Sequence, residues 1–203
     1  MDLIKKVKEL KKNKELMSEV NRKLSSFSSL PSNQHFSELC FCMLTANASA
    51  ESGIKCQKSI GSGFRTLTEK ELAQELKKLK YRFPNKRAHY ISLAQEKYNV
   101  LSEIKNMKSF EARKHLITNF KGIGMKEASH FLRNIGRKDV AIIDRHILRS
   151  LENSKIIKPV KTLNQKEYLK IEDELKKLAH DTLTNLAELD LILWFMQTGK
   201  VLK

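Results

Sequence analysis

One short stretch carries the residues best suited to covalent chemistry. In Phe120-Lys121-Gly122-Ile123-Gly124-Met125-Lys126, two glycines flank a single apolar residue and a lysine follows two positions later. Glycine at both ends permits a tight turn through backbone angles closed to bulkier residues, and leaves room for a phosphate to reach main-chain N–H groups. The segment from Met125 onward reads as an amphipathic helix, whose N-terminal partial positive charge adds to that attraction. Lys126 falls in the first turn of this helix, where the dipole disfavours an ammonium, and a neutral amine is a nucleophile. The competing reading is a solvated surface lysine, the default in so lysine-rich a chain. Further along, Asp144 follows Ala141-Ile142-Ile143 and precedes Arg145-His146. From there a carboxylate either caps a helix or faces a cleft.

The elements that must position these groups read as helices throughout. Glycine and proline are scarce, at 7 and 3 residues, and apolar residues recur at helical rather than alternating spacing, as in Leu72, Leu76 and Leu79 or Ile171, Leu175 and Leu178. Helices are predicted over about 2–12, 14–27, 35–48, 50–61, 69–79, 84–97, 109–119, 125–135, 144–152, 165–179 and 184–196. Breakers separate them at Pro31, Gly61-Ser62-Gly63, Pro84, Gly122-Ile123-Gly124 and Pro159. The segments 109–119 and 125–135, joined by the glycine turn with Ile123 as its core anchor, form the pattern of a helix-hairpin-helix. The expected fold class is therefore all-α.

Charge narrows the partner. Lys and Arg number 39 against 23 acidic residues, a net +16 that repels itself unless a polyanion neutralises it, so nucleic acid is the leading partner. Lys-rich surfaces that merely keep a protein soluble are the plainer alternative. No apolar run approaches the ~20 residues that span a bilayer, and Met1–Lys12 has no apolar signal-peptide core, so an intracellular protein without a membrane partner is expected. Cys40, Cys42 and Cys56 are odd in number and sit among apolar neighbours, which predicts buried thiols and neither a metal site nor another cofactor.

The stretch KGIGMKEASHFLRNIGRKDVAIIDRHILR resembles the signature of the 8-oxoguanine DNA glycosylase/lyases of the helix-hairpin-helix superfamily, most closely the small archaeal type also found in some bacteria. The likeness extends from HFSELCFCMLTANASAESG through YRFPNKRAHYI to LDLILWFMQTGKVLK. It implies a helix-only protein without the cysteine cluster of the iron-sulfur branch, which has no counterpart after Cys56, and without the β-rich N-terminal domain of the larger eukaryotic-type enzymes. It also implies two helical lobes flanking a DNA-binding cleft, one over 36–143 containing the hairpin at about 109–135, the other built from 1–35 plus 144–203.

By the same resemblance, Lys126 attacks the anomeric carbon of an oxidised guanosine, forms an imine and permits β-elimination of the 3′ phosphate, while Asp144 stabilises the positive charge on the sugar. Gly122 and Gly124 bind phosphate. Duplex chemistry on a base requires its extrusion, with something filling the gap and something stacking on the base. Asn47 occupies the place where relatives present a polar residue to the orphaned partner base, and Phe83 beside Arg82 is a candidate wedge. Helix-ending and core roles are their alternatives. His130, four residues after Lys126, and Trp194, the only tryptophan, are candidates to sandwich the base, each with an ordinary core role as its alternative. Lys203 brings a terminal carboxylate that would accept a hydrogen bond from the N7–H of the oxidised purine, whereas guanine carries a lone pair there. The expected protein is a monomeric bifunctional glycosylase acting on double-stranded DNA in a prokaryotic cytoplasm or nucleoid. Two other readings remain open at this point: a non-catalytic phosphate clamp, and a helical RNA-binding or scaffold protein.

Overall fold

The computed structural model describes residues 2–203. In chain order its helices are α1 (Leu3–Leu10), α2 (Lys14–Ser28), α3 (His35–Thr45), α4 (Ala50–Ile60), α5 (Gly63–Thr66), α6 (Glu69–Lys78) and α7 (Pro84–Glu96). These are followed by α8 (Val100–Glu103), α9 (Ser109–Asn119), α10 (Met125–Asn134), α11 (Arg145–Asn153), α12 (Gln165–Asp181) and α13 (Leu186–Thr198), with short 3₁₀ turns at Ser32–Gln34 and Ile104–Asn106. Among the described residues there is no β-strand, and the fold is all-α. The short helices α5 and α8 were not expected from the sequence, because four residues are too few to display a 3.6-residue period. Helix α3 stops at Thr45 rather than at residue 48, because Asn47 turns left-handed with φ 60°.

The chain forms two compact units, one of Met1–Ser29 with Arg133–Lys203, the other of Leu30–Leu132. The division falls inside α10 and not at 143/144, since the apolar run before Asp144 packs with the helices that follow it.

The core of the 30–132 unit is built on α3. Phe36 and every residue from Glu38 to Thr45 are buried, so the helix is enclosed on all sides and carries no polar face. It packs on α4, α5 and α7. The approach to α4 is close at Gly53, where a Cβ would lie 3.1 Å from both the Phe41 ring and the Thr45 methyl. Cys40, Cys42 and Cys56 are all buried, and burial pushes the Cys40 thiol well above its ordinary range.

In the other unit α13 is the central helix, burying Leu186, Ala187, Leu189, Leu191, Ile192 and Leu193 against α1, α2, α11 and α12. The apolar segment 140–143 is buried yet belongs to neither helix nor sheet, so its backbone polar groups need other partners. Helix α12 supplies them. The buried Glu172 carboxylate accepts from Ala141 N at 2.8 Å, and the Tyr168 hydroxyl donates to Ala141 O at 2.7 Å and accepts from Ile143 N at 3.2 Å. This brace fixes the backbone immediately ahead of Asp144.

Candidate active site

The turn between α9 and α10 begins where Phe120 N closes the last turn of α9 on Leu116 O, and Ile123 N then bonds to Phe120 O at 3.1 Å. Ile123 is buried and anchors the hairpin, as its apolar character predicted. The two glycines are not equivalent. Gly122 has φ +89°, and a Cβ there would sit 2.4 Å from Cδ2 of Tyr90 on α7. Gly124 has no positive φ, and its nearest obstacle is the mobile end of Glu127, at 3.3 Å. The expectation that both glycines adopt forbidden angles therefore holds for Gly122 and fails for Gly124. Gly124 N–H donates to the Glu127 carboxylate at 3.3 Å, half of a capping box at the start of α10.

Tyr90 gathers charge beside this turn. Lys86 Nζ, the Arg87 guanidinium and Lys121 Nζ lie 5.9, 5.8 and 6.0 Å from its ring centroid. Lys86 and Lys121 are exposed and make an electropositive patch beside the glycine turn suited to a phosphate backbone, whereas Arg87 is buried behind them. None of Lys86, Arg87 and Tyr90 stood among the candidate site residues that the sequence offered. A basic residue every few positions is too common in this chain to stand out.

Lys126, the second residue of α10, is half-buried, and its Nζ lies 3.4 Å from the hydroxyl of Thr45, the last residue of α3. Among the described residues it forms no ion pair with a carboxylate. Beyond Thr45 the chain turns out to solvent, and the left-handed Asn47 is exposed. The segment is tied down from α7, where the buried Arg87 donates to Ala46 O at 2.6 Å, and from Tyr81, whose hydroxyl donates to Leu44 O at 2.6 Å. Phe83 is the residue before Pro84 at the start of α7. It is half-exposed with the Arg82 guanidinium 4.9 Å from its ring centroid, so it is not the core phenylalanine that was its alternative reading. Asn47 and Phe83 thus both lie on segments tied to the end of α3 that contacts Lys126. His130 is different. It is 5% exposed, with its ring edge-on to Phe41 at 5.4 Å between centroids, so stacking on a base would require its displacement.

In the other unit Asp144 is the N-cap of α11. Its Oδ1 accepts from His146 N at 2.8 Å and from Ile147 N at 2.9 Å. The capping geometry that its sequence context allowed is the one adopted, and it leaves Oδ2 outside the cap. His146, two residues on, meets Trp194 of α13 in an edge-to-face contact at 5.1 Å. Trp194 and Phe195 are half-exposed while Leu191 is buried, so these three do not form one buried stripe. The indole Nε1 is buried without an acceptor among the described residues. Past α13, Val201 is buried, which seats the end of the chain against its unit. Lys203 is half-buried, and its charge acts on Lys23 of α2. Burial first, then Lys203, Arg22 and Arg133, hold the Lys23 ammonium below its usual value. Arg133 is itself buried, paired with Asp190 at 3.3 Å and stacked on Phe27 at 4.6 Å. No helix is long and apolar enough to cross a membrane among the described residues.

The 8-oxoguanine DNA glycosylase family matches residues 5–184 of this chain. The 8-oxoguanine DNA glycosylase/AP lyase of Methanocaldococcus jannaschii is 49% identical over 208 residues, covering 100% of both chains. The crystal structure of the 8-oxoguanine glycosylase/lyase of that organism, in complex with a 15mer DNA containing 8-oxoguanine, superimposes with a TM-score of 0.96 at 47% identity, again over 100% of both chains. The 8-oxoguanine DNA glycosylase of Thermotoga maritima superimposes with a TM-score of 0.94 at 39% identity, covering 99% of this chain and 98% of that one.

Proposed function

Because the chain belongs to the 8-oxoguanine DNA glycosylase family, we propose that it is a bifunctional DNA glycosylase and AP lyase that excises 8-oxoguanine from double-stranded DNA. The relatives' names and the DNA complex of the Methanocaldococcus enzyme support the reaction and its substrate. The observation that carries the residue assignment is Lys126 itself. It is a primary amine in the first turn of the helix after a Gly-x-Gly hairpin, half-buried and hydrogen-bonded to a hydroxyl instead of being paired with a carboxylate.

The Lys126 amine attacks the anomeric carbon of the damaged nucleoside through its lone pair and gives up a proton, and the electron pair of the glycosidic bond leaves with the base, which takes up a proton. Opening of the sugar ring converts the adduct to an imine. Loss of a C2′ proton then breaks the bond from C3′ to the phosphate oxygen, and hydrolysis returns the free lysine. One side chain thus serves both activities. Asp144, held as an N-cap by two backbone N–H groups, presents a fixed carboxylate to stabilise positive charge developing on the sugar. The turn at Gly122 and Gly124 takes a phosphate, assisted by the exposed Lys86 and Lys121 beside Tyr90. Asn47 and Phe83 fill the space left by the extruded base. Trp194 stacks on the base, and Lys203 takes part in reading it. His130 joins them only after a shift that uncovers its ring. Prokaryotic relatives such as that of Methanocaldococcus jannaschii support action on the DNA of a prokaryotic cell.

Borohydride reduction on a duplex containing 8-oxoguanine tests the scheme, since only an imine is trapped covalently. Lys126→Gln is expected to lose the adduct while still binding the duplex. A trapped adduct in that variant would overturn the assignment.

A further inference from the structure

We propose that Thr45 is a positioning residue for the Lys126 amine, setting the direction in which its lone pair points; this rests on the role given to Lys126 above. The Thr45 side chain has no freedom to do otherwise. It is 6% exposed, and its methyl occupies the space opened by Gly53 of α4, where any Cβ would come within 3.1 Å. With the methyl fixed on that side, the hydroxyl donates its one hydrogen to Cys42 O at 2.9 Å. What remains toward Lys126 Nζ, 3.4 Å away, is lone pairs, so Thr45 is an acceptor and the lysine is the donor.

An amine that donates one N–H to a fixed acceptor loses rotation about its terminal bond, and its lone pair is confined to a narrow range of directions. Attack on a sugar carbon depends steeply on that direction, and a misplacement of about 1 Å costs on the order of 100-fold in rate. The acceptor is itself anchored. Arg87 holds Ala46 O, and Tyr81 holds Leu44 O, on either side of Thr45. The same short segment continues into the exposed Asn47, so the aim of the nucleophile and the placement of Asn47 are set by one braced piece of backbone.

Single-turnover excision and borohydride trapping on an 8-oxoguanine duplex, with DNA affinity and thermal unfolding followed in parallel, test the role. Thr45→Val keeps the shape and removes the acceptor. It is expected to slow imine formation by roughly 10- to 100-fold while Kd stays within about twofold of wild type. Thr45→Ser restores the hydroxyl and is expected to recover the rate to within about threefold, an outcome that packing of the methyl would not produce. Wild-type trapping by Thr45→Val, or a Ser variant as slow as the Val one, would overturn the proposal. Should the Val variant fail to fold, Thr45→Ala set against Thr45→Ser makes the same comparison. Lys126→Gln in the same series keeps the two ideas apart. A persistent adduct there refutes the nucleophile, whereas a lost adduct beside a full-rate Thr45→Val refutes the positioning role.

Discussion

The ring of Tyr90 lies over Gly122 so closely that a single methyl group there would stand 2.4 Å from Cδ2, and the backbone of Gly122 is left-handed as well. The contact joins α7 to the hairpin and sets the exposed Lys86 and Lys121 beside the turn. It also makes the first glycine of the hairpin irreplaceable for two separate reasons, whereas the second has neither.

Gly122→Ala is accordingly expected to destabilise the protein by about 2–4 kcal/mol, from left-handed strain plus displacement of the Tyr90 ring. Gly124→Ala should cost less than about 1 kcal/mol, since only the flexible end of Glu127 must give way. Urea denaturation of the two variants checks the ranking, and equal losses would contradict it.

Asp144 combines a cap with a charge, and two substitutions separate them. Asp144→Asn keeps a good N-cap acceptor and should cost only about 0.3–1 kcal/mol of stability, while Asp144→Ala loses the cap and should cost about 1–2 kcal/mol. Both are expected to slow excision by about 100-fold or more, because both remove the carboxylate. If the Asn variant worked at the wild-type rate in single turnover, the residue would be a cap and nothing more.

At Asn47 the backbone and the side chain can be tested independently. With φ 60° the position suits glycine, so Asn47→Gly should leave stability unchanged or raise it slightly, by up to about 1 kcal/mol, whereas Asn47→Ala should lose about 1 kcal/mol. Both variants lack the amide and are expected to excise 8-oxoguanine from a duplex about 10-fold more slowly, with a smaller effect on single-stranded substrate, where no gap needs filling.

Lys23 gives a pH signature. Its ammonium is disfavoured in the folded protein, so its folded pKa lies below the ordinary 10.5. Between those two values the unfolded chain holds the extra proton, and stability contributed by this site rises with pH across that window. Below it the charged lysine is a net penalty, and Lys23→Gln is expected to match or exceed the wild type at about pH 7, with the difference shrinking as pH climbs toward about 10. Denaturation curves for the two proteins over that range decide the sign. A widening advantage for the variant would reverse the argument.

The sequence by itself determined the all-α class, the long helices, the hairpin at Gly122-Ile123-Gly124 and the lysine and aspartate that it offers to chemistry. Each of these rests on local information: a 3.6-residue apolar period, a capping residue or breaker at an end, a glycine where the chain must turn. Even Asp144 was legible as a cap from its place after an apolar run. Tertiary structure decided what those groups touch. Thr45 is buried in the run Phe41-Cys42-Met43-Leu44-Thr45, where nothing distinguishes it from a core residue, and it meets a lysine 81 positions away only because α3 packs where α10 begins. Glu172 and Tyr168 brace the irregular 140–143 segment for the same kind of reason, as residues of α12 turned toward a stretch with no helix or sheet to join. His130 shares a helical face with Lys126 in sequence terms, yet one packs on Phe41 and the other is half-exposed, because burial is set by the neighbouring helix rather than by spacing along its own. Periodicity records which side of a helix is apolar, and contacts between helices depend on which surfaces the whole chain brings together.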